Sequence, residues 1–147
     1  MCTRKKLYRH YDIIFFKDIT MTQLIYCSKA KENVALEDVK DILDLSIAKN
    51  KEFNLSGMLI YNGTYFLQCI EGKDEYIKNL YANILKDTRH ENIKLIGTVD
   101  ILKRDFENWN MGYFYTKNEF NEKDDFYPYD MSFNDAKSVL MNFSKGL

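Results

Sequence analysis

The sequence contains little that would divide it or cross-link it. Among its 147 residues there are one proline, six glycines and three cysteines, and no Gly- or Ser-rich linker separates one part from another. This length suits one domain with a substantial core and is short for two. The cysteines, Cys2, Cys27 and Cys69, lack the paired spacing of a disulfide framework. We therefore predict one domain with reduced thiols in the cytoplasm.

The chain also lacks an excess of charge and a long apolar run. Its net charge is −1, which supplies no electrostatic field that would gather nucleic acid or an anionic membrane. No apolar run approaches the roughly 20 residues that a membrane-spanning helix needs. The two histidines, His10 and His90, lie far apart and lack metal-ligand spacing. We expect no metal site and no direct contact with nucleic acid or membrane.

Residues 53–72 give the most information about the fold and the site. They read as two apolar strands joined by Asn62-Gly63, a dipeptide that prefers a tight hairpin turn. Alternation along the second strand places Phe66 and Gln68 on the same face. A buried amide without partners costs about 1–3 kcal/mol, so a polar side chain or a polar ligand should lie over Gln68.

A strand over residues 23–28 is predicted by its alternation and by apolar residues on both faces. Tyr26 and Ser28 share one of these faces. Taken alone, Tyr26 is most simply a core tyrosine whose hydroxyl bonds to the backbone.

Helical spacing of apolar residues predicts a helix from residue 36 to about residue 51. The same spacing places Ser46 and Asn50 in the middle of the apolar stripe. Asn50 alone could simply end the helix and bond to its own backbone. Its coincidence with Gln68 instead favours two amides that face one interior.

The rest of the chain predicts a second amphipathic helix, two strands and a C-terminal helix. Asp74 should cap the second helix, which ends near Asp87 and is followed by Arg89 and His90 in its exit loop. The strands cover residues 93–99 and 109–115, and residues 117–130 form a loop around Pro128. Ser132 should cap the last helix, whose apolar side carries Phe133, Ala136, Val139, Leu140 and Phe143. The last helix should pack on the sheet face that carries Ile25, Cys27, Leu67 and Cys69.

This order of elements predicts an α+β fold of the ferredoxin-like βαββαβ type. A fifth strand is added, and the C-terminal helix packs on the opposite sheet face. The convincing pattern begins at Met21. We therefore divide the chain into an N-terminal extension of unassigned role (1–20), a ligand-binding domain (21–115) and a C-terminal loop with a helical cap (116–147).

Several short motifs occur in order along the predicted domain. They are Tyr26-Cys-Ser28, Ser46-x-x-x-Asn50, Leu55-Ser-Gly-Met-Leu-Ile-Tyr61, Phe66-Leu-Gln68-Cys-Ile-Glu-Gly72, Asp87-Thr-Arg89-His90 and Trp109-x-Met111. Together they resemble the BLUF family, blue-light sensors that bind a flavin between the two helices of a ferredoxin-like fold. One such motif would be weak support, whereas the ordered set on the expected elements is specific.

The resemblance implies non-covalent binding of FAD, or of FMN in its place. Tyr26 would be the redox-active donor, bonded to Gln68, while Asn50 would bond the C4 carbonyl and N3 edge of the flavin. The residues implied at the cofactor are Tyr26, Ser28, Ile42, Ser46, Lys49, Asn50, Phe66, Gln68, Ile84, Arg89 and His90. The residues implied in the photochemistry are Tyr26, Gln68, Trp109 and Met111.

The resemblance also implies a blue-light receptor that is not an enzyme. Light would drive electron transfer from Tyr26 to the flavin, and recombination would leave Gln68 rearranged with a stronger bond to the C4 carbonyl. The change would pass through Trp109 and Met111 to the C-terminal helix. From there it would reach a separate output protein or a second copy of the chain, with residues 119–130 and the last helix as the candidate contact surface. That helix could equally be a mere cap on the sheet.

Two other interpretations stay open at this point. One is a flavin-free, ferredoxin-like protein-interaction module with a degenerate pocket. The other is a small hydrolase of the acylphosphatase kind, which needs an arginine in a phosphate-binding loop after the first strand. The loop Ser28-Lys-Ala-Lys-Glu-Asn33 contains neither arginine nor a Gly-rich turn, which argues against the hydrolase.

Overall fold

The computed structural model describes residues 20–116 and 127–147. Five strands form one sheet in the order β4-β1-β3-β2-β5. The elements are β1 (Met21–Ala30), α1 (Leu36–Glu52), β2 (Ser56–Tyr61), β3 (Tyr65–Gly72), α2 (Asp74–Lys86), β4 (His90–Ile101), β5 (Gly112–Tyr115), a 3₁₀ turn (Pro128–Asp130) and α3 (Phe133–Ser144). None of the helices within these described ranges is long and apolar enough to cross a membrane.

The order of strands and helices confirms the α+β, ferredoxin-like prediction. The first four strands pair antiparallel, and β5 adds to the edge of β2 in parallel. The three inner strands, β1, β3 and β2, are buried on both faces, as their apolar composition predicts. One sheet face packs against α1 and α2, and the other packs against α3.

Helix α3 begins where the sequence predicts. The Ser132 hydroxyl accepts a hydrogen bond from the backbone N–H of Asp135, 3.1 Å away, and so satisfies one free N–H of the first turn. Ala136 and Leu140 are fully buried against the sheet face that carries Ile25. A helix of 12 residues is marginal in isolation, so this packing stabilises it.

The last two strands differ from the prediction. Strand β4 is longer than 93–99 and begins at His90, because it pairs with β1 from Ala30 to Met21. Strand β5 begins only at Gly112, so Trp109 and Met111 precede it and do not lie on it. A local turn, closed by the Trp109 N–H and the Phe106 carbonyl at 3.1 Å, keeps this stretch out of the sheet.

The hairpin turn is displaced by one residue from Asn62-Gly63. Beyond the pair of Tyr61 with Phe66, the Asn62 N–H donates to the Tyr65 carbonyl at 3.2 Å, which leaves Gly63 and Thr64 as the two turn residues. Gly63 has a φ of 93°, and glycine with positive φ at the first turn position is typical of II′ hairpins. The Asn62 side chain accepts from the Thr64 N–H at 3.0 Å, which explains why the turn forms one residue later.

Two details of the helices were also predicted wrongly. The N-cap of α2 is Lys73, and Asp74 is the first helical residue; its carboxylate accepts from the Thr22 hydroxyl at 2.8 Å. In α1, Leu36 and Ile47 are 53% and 39% exposed, because the buried residues of the helix form a narrower line than predicted. Predictions for residues 1–19 and 117–126 lie outside the described residues.

The packing of α3 on the sheet can be tested at Leu140. We expect Leu140→Ala to lower the free energy of unfolding by about 2–5 kcal/mol, because it leaves a cavity in a fully buried site. Urea unfolding followed by circular dichroism measures this change. Asn142→Ala, on the exposed side of the same helix, should change it by less than about 0.5 kcal/mol. Equal effects of the two substitutions would show that α3 is not part of the core.

Candidate functional site

A cleft opens between α1 and α2 above the sheet face that carries Gln68. The empty space in and around it is about 980 Å³, which includes open solvent at its mouth. Its lining residues include Tyr26, Ile42, Leu43, Ser46, Lys49, Asn50, Leu59, Phe66, Gln68, Leu80, Asn83, Ile84, Asp87, Arg89, His90 and Met111. The structure thus brings together every residue that the sequence implied at the cofactor, apart from Ser28.

Tyr26 and Gln68 are direct neighbours across the pairing of β1 with β3. The Tyr26 hydroxyl donates a hydrogen bond to Gln68 Oε1. On its other side, Gln68 Nε2 donates to the sulfur of Met111 at 3.4 Å. Both ends of the buried amide are therefore satisfied, one by a phenol and one by a thioether, which is a weak acceptor.

Burial raises the pKa of Tyr26 well above its usual range, and the carboxylate of Asp87 raises it further. Water does not solvate a phenolate at this site, so the charged form is disfavoured. Tyr26 is consequently neutral over the physiological pH range. It carries the proton that it donates to Gln68.

Asn50, in the last turn of α1, offers one free acceptor to the cleft. Its Nδ2 donates to the backbone carbonyl of Asn110 at 2.7 Å. Its Oδ1 is buried, and no donor within residues 20–116 and 127–147 bonds to it. A buried polar atom without a partner is costly, so a ligand with an N–H at this position would relieve the cost.

The residues present fit a flavin. The pyrimidine edge of a flavin carries an N–H between two carbonyls, and Asn50 Oδ1 can accept from such an N–H. Ile42 from α1 and Ile84 from α2 supply apolar walls on the two sides of the cleft, which suit a flat aromatic ring. The Asn50 Nδ2 group is already used by Asn110, so only the acceptor half of this amide is free.

His90 links the sheet to the end of α2. Its Nε2 lies 2.8 Å from the Ile84 carbonyl, and because a carbonyl only accepts, Nε2 carries the hydrogen. In the neutral ring, Nδ1 then accepts from the Ser28 hydroxyl at 2.8 Å. Ser28 is fully buried and therefore acts on the cleft through His90, which fixes the turn of helix that carries Ile84.

The mouth of the cleft is polar. Arg89 forms a two-pronged ion pair with Asp87, with its Nε and Nη2 at 2.9 and 2.6 Å from the two carboxylate oxygens. This hydrogen bonding lowers the pKa of Asp87, and the carboxylate in turn raises the pKa of Arg89. Lys49 is exposed at the rim. The hydroxyl of Ser46 donates to the Ile42 carbonyl of its own helix at 2.8 Å.

Met111 and Trp109 lie on opposite sides of the sheet. Met111 lines the cleft, whereas Trp109 packs with the core on the side of α3. The sequence did not reveal this division. The carbonyl of Asn110 was also not predicted at the site, because the amino-acid pattern gives no information on the position of a backbone atom. Nor was the ring of Tyr81 predicted there, whose centroid is 5.9 Å from that of Tyr26.

Comparison with known proteins identifies the class to which this arrangement belongs. Residues 21–112 match the sequence model of the family described as "Sensors of blue-light using FAD", BLUF. Because the match covers more than half of the chain, the chain belongs to this family. The resemblance stated from the motifs is confirmed, and the domain is a blue-light sensor whose cofactor is FAD.

Individual relatives support the assignment. The photo-activated state of BlsA superposes with a TM-score of 0.74 at 29% identity, and covers 83% of this chain and 93% of that one. The dark-state structure of the BLUF protein BlrB gives 0.75 at 26% identity, with 86% and 97% covered. The blue light- and temperature-regulated antirepressor BluF of Escherichia coli (strain K12) is 32% identical over 73 residues, which are 50% of this chain and 18% of that protein. The chain thus spans under a fifth of the length of that curated relative.

The protonation of Tyr26 can be tested by titrating the tyrosines. The buried phenol stabilises the fold below its unfolded pKa of about 10, and this contribution is lost as the pH rises further, because the unfolded chain releases the proton first. In the folded state up to about pH 11, we expect the unchanged protein and Tyr26→Phe to form equal amounts of tyrosinate by ultraviolet absorbance. In urea, the unchanged protein should form one more tyrosinate than the Tyr26→Phe variant. An extra tyrosinate in its folded state would contradict the assignment.

Proposed function

We propose that this protein is a blue-light receptor that holds FAD non-covalently between α1 and α2 and signals by rearranging the side chain of Gln68. The observation that carries the proposal is the convergence of the Tyr26 hydroxyl, both ends of the Gln68 amide and the unpartnered Asn50 Oδ1 in one cleft. When bound, the flavin supplies the absorption of blue light and the oxidant for a nearby phenol. The remaining chemistry belongs to residues of the chain.

Tyr26 holds the proton that moves. Its hydroxyl is buried, neutral and bonded to Gln68 Oε1, so the amide oxygen is the nearest acceptor when the phenol loses its proton. The same hydrogen bond returns the proton afterwards. Replacement of the phenol removes both the donor and the path.

Gln68 is the group that changes state. In the present orientation Oε1 accepts from Tyr26 and Nε2 donates to Met111. Rotation of the amide by half a turn would place Oε1 against the Met111 sulfur. Because both atoms are acceptors, that contact would be lost. The rearrangement of Gln68 therefore releases Met111.

The other residues position these groups or the ligand. Asn50 would accept from the ligand through Oδ1, and Ile42 and Ile84 would hold its ring from the two helices. Phe66 contributes to the floor of the cleft, and His90 with Ser28 fixes the end of α2. At the mouth, Lys49, Arg89 and Ser46 line the cleft and would contact the ligand there.

Output passes from Met111 to α3 and then to a partner. Met111 faces the cleft and Trp109 faces the core of α3, so movement of this short stretch affects both sides of the sheet. The partner is a separate output protein or a second copy of the chain, and it binds the α3 side. The buried free thiols of Cys27 and Cys69 support a cytoplasmic location. The family assignment favours this function over a flavin-free module or an acylphosphatase-like hydrolase.

The role of Gln68 can be tested with Gln68→Leu. We expect this variant to bind FAD but to lose the red shift of flavin absorption on illumination, because leucine has no amide to rearrange. Absorption spectra in darkness and in blue light measure both properties. Asn83→Leu is the matched control, since Asn83 also lines the cleft but has an exposed side chain, and it should keep the shift. A red shift retained in Gln68→Leu would refute the role of Gln68.

The proposed partner can be sought by capture from an extract in darkness and in blue light. We expect one protein, or additional copies of this chain, to be retained in amounts that differ between the two conditions. With Gln68→Leu the amounts should be equal, because the variant stays in one state. Retention that responds to light in Gln68→Leu as well would exclude signalling through this amide.

A further inference from the structure

A buried carboxylate lies on the sheet face opposite the cleft, near the end of β3. Glu71 is 0% exposed and accepts four hydrogen bonds. Its Oε2 accepts from Gln23 Nε2 at 2.9 Å and from the Asp105 N–H at 3.0 Å. Its Oε1 accepts from the Ser56 hydroxyl at 2.9 Å and from the Phe106 N–H at 2.7 Å. A carboxylate has about four acceptor positions, so this group is saturated.

Two of these donors are backbone groups of the β4–β5 loop, which we define as residues 102–111. A few residues further on, the same loop reaches through to the cleft. The Asn110 carbonyl accepts from Asn50 at 2.7 Å, and the Met111 sulfur accepts from Gln68 at 3.4 Å. The loop therefore has one end fixed to Glu71 and the other end in contact with the residue that changes state.

Two contacts hold the chain between these ends. The Gly57 N–H of β2 donates to the Trp109 carbonyl at 3.1 Å, and Phe106 is fully buried under α3. Both contacts depend on the path that the loop takes when it leaves the Glu71 carboxylate. The position of Met111 is thus set by this anchor as well as by its own packing.

The anchor also touches α3. Asp105, whose N–H bonds to Glu71, forms an ion pair with Lys137 of α3 at 2.9 Å, and its carboxylate accepts from Gln23 at 2.7 Å. Gln23 Nε2 thus bridges the carboxylates of Glu71 and Asp105. Hydrogen bonds and one ion pair thus connect Glu71 of the central strand β3 to Lys137 of α3, on the sheet face opposite the cleft.

We propose that Glu71 is a positioning residue of the light response: its carboxylate fixes the β4–β5 loop so that Met111 meets Gln68, and couples that loop to α3 through Asp105 and Lys137. The inference rests on the proposed function of Gln68. It adds a residue that touches neither the cofactor nor the cleft. Glutamine cannot replace glutamate here, because one end of an amide is a donor and would face two N–H or O–H donors.

The test uses the full chain loaded with FAD and the variant Glu71→Gln. The red shift should persist, because Tyr26 and Gln68 are untouched. Thermal return to the dark spectrum should slow by at least about fivefold, the change expected when one hydrogen bond of a buried network is lost, because the Met111 sulfur is no longer held in place. The light-dependent change in amide hydrogen exchange of α3 should disappear.

Control variants separate this role from general stability. Glu107→Gln makes the same chemical change at an exposed position of the same loop and should leave both the return rate and the exchange response unaltered. Lys137→Met should leave the return rate within about twofold but abolish the exchange response of α3. If Glu71→Gln fails to fold, Ser56→Ala, which removes one of the four donors and keeps the charge, is measured in its place with the same expected slowing.

The outcomes are distinguishable. A return rate within twofold of the unchanged protein, with the α3 response intact, in Glu71→Gln or in its substitute Ser56→Ala would overturn the positioning role alone. Loss of the α3 response in Glu107→Gln as well would also overturn it, because the effect would then not depend on the buried carboxylate. Absence of any red shift in the unchanged protein would instead refute the proposed function on which the inference depends.

Discussion

The hydrogen bond between Tyr26 and Gln68 is the interaction around which the structure is arranged. It exists because β1 and β3 pair in the register that makes these two residues direct neighbours. A shift of that register by one residue would turn both side chains to the opposite face of the sheet. The pairing of the strands therefore positions Tyr26 beside Gln68. Helices α1 and α2 then complete the cleft above this pair.

Much of this arrangement could be predicted because it follows from local patterns. Alternation along β3 placed Gln68 among apolar residues, and helical spacing placed Asn50 on the buried side of α1; both assignments are seen in the structure. The capping residue Ser132 marked the start of α3 correctly. The ordered motifs then named the family. Each strand, helix and single motif among these features depends on residues close together in the sequence.

The features that could not be predicted depend on contacts between distant segments. The extension of β4 to His90 follows from its pairing with β1, and the displaced hairpin turn follows from the side chain of Asn62. Trp109 and Met111 lie just before a strand, where alternation gives no guide to direction, and only packing decides that they point to opposite faces. Ser28 acts through His90, a relation that no spacing of residues encodes.

The unpartnered oxygen of Asn50 links the stability of the fold to the ligand that fills the cleft. This oxygen is a buried acceptor that no donor within residues 20–116 and 127–147 bonds to, and it lies at the cleft between two helices. A ligand that binds only the folded chain stabilises it in proportion to the logarithm of its concentration. A flavin that fills the cleft would therefore raise the free energy of unfolding, and the melting temperature of the chain would depend on how much flavin is present.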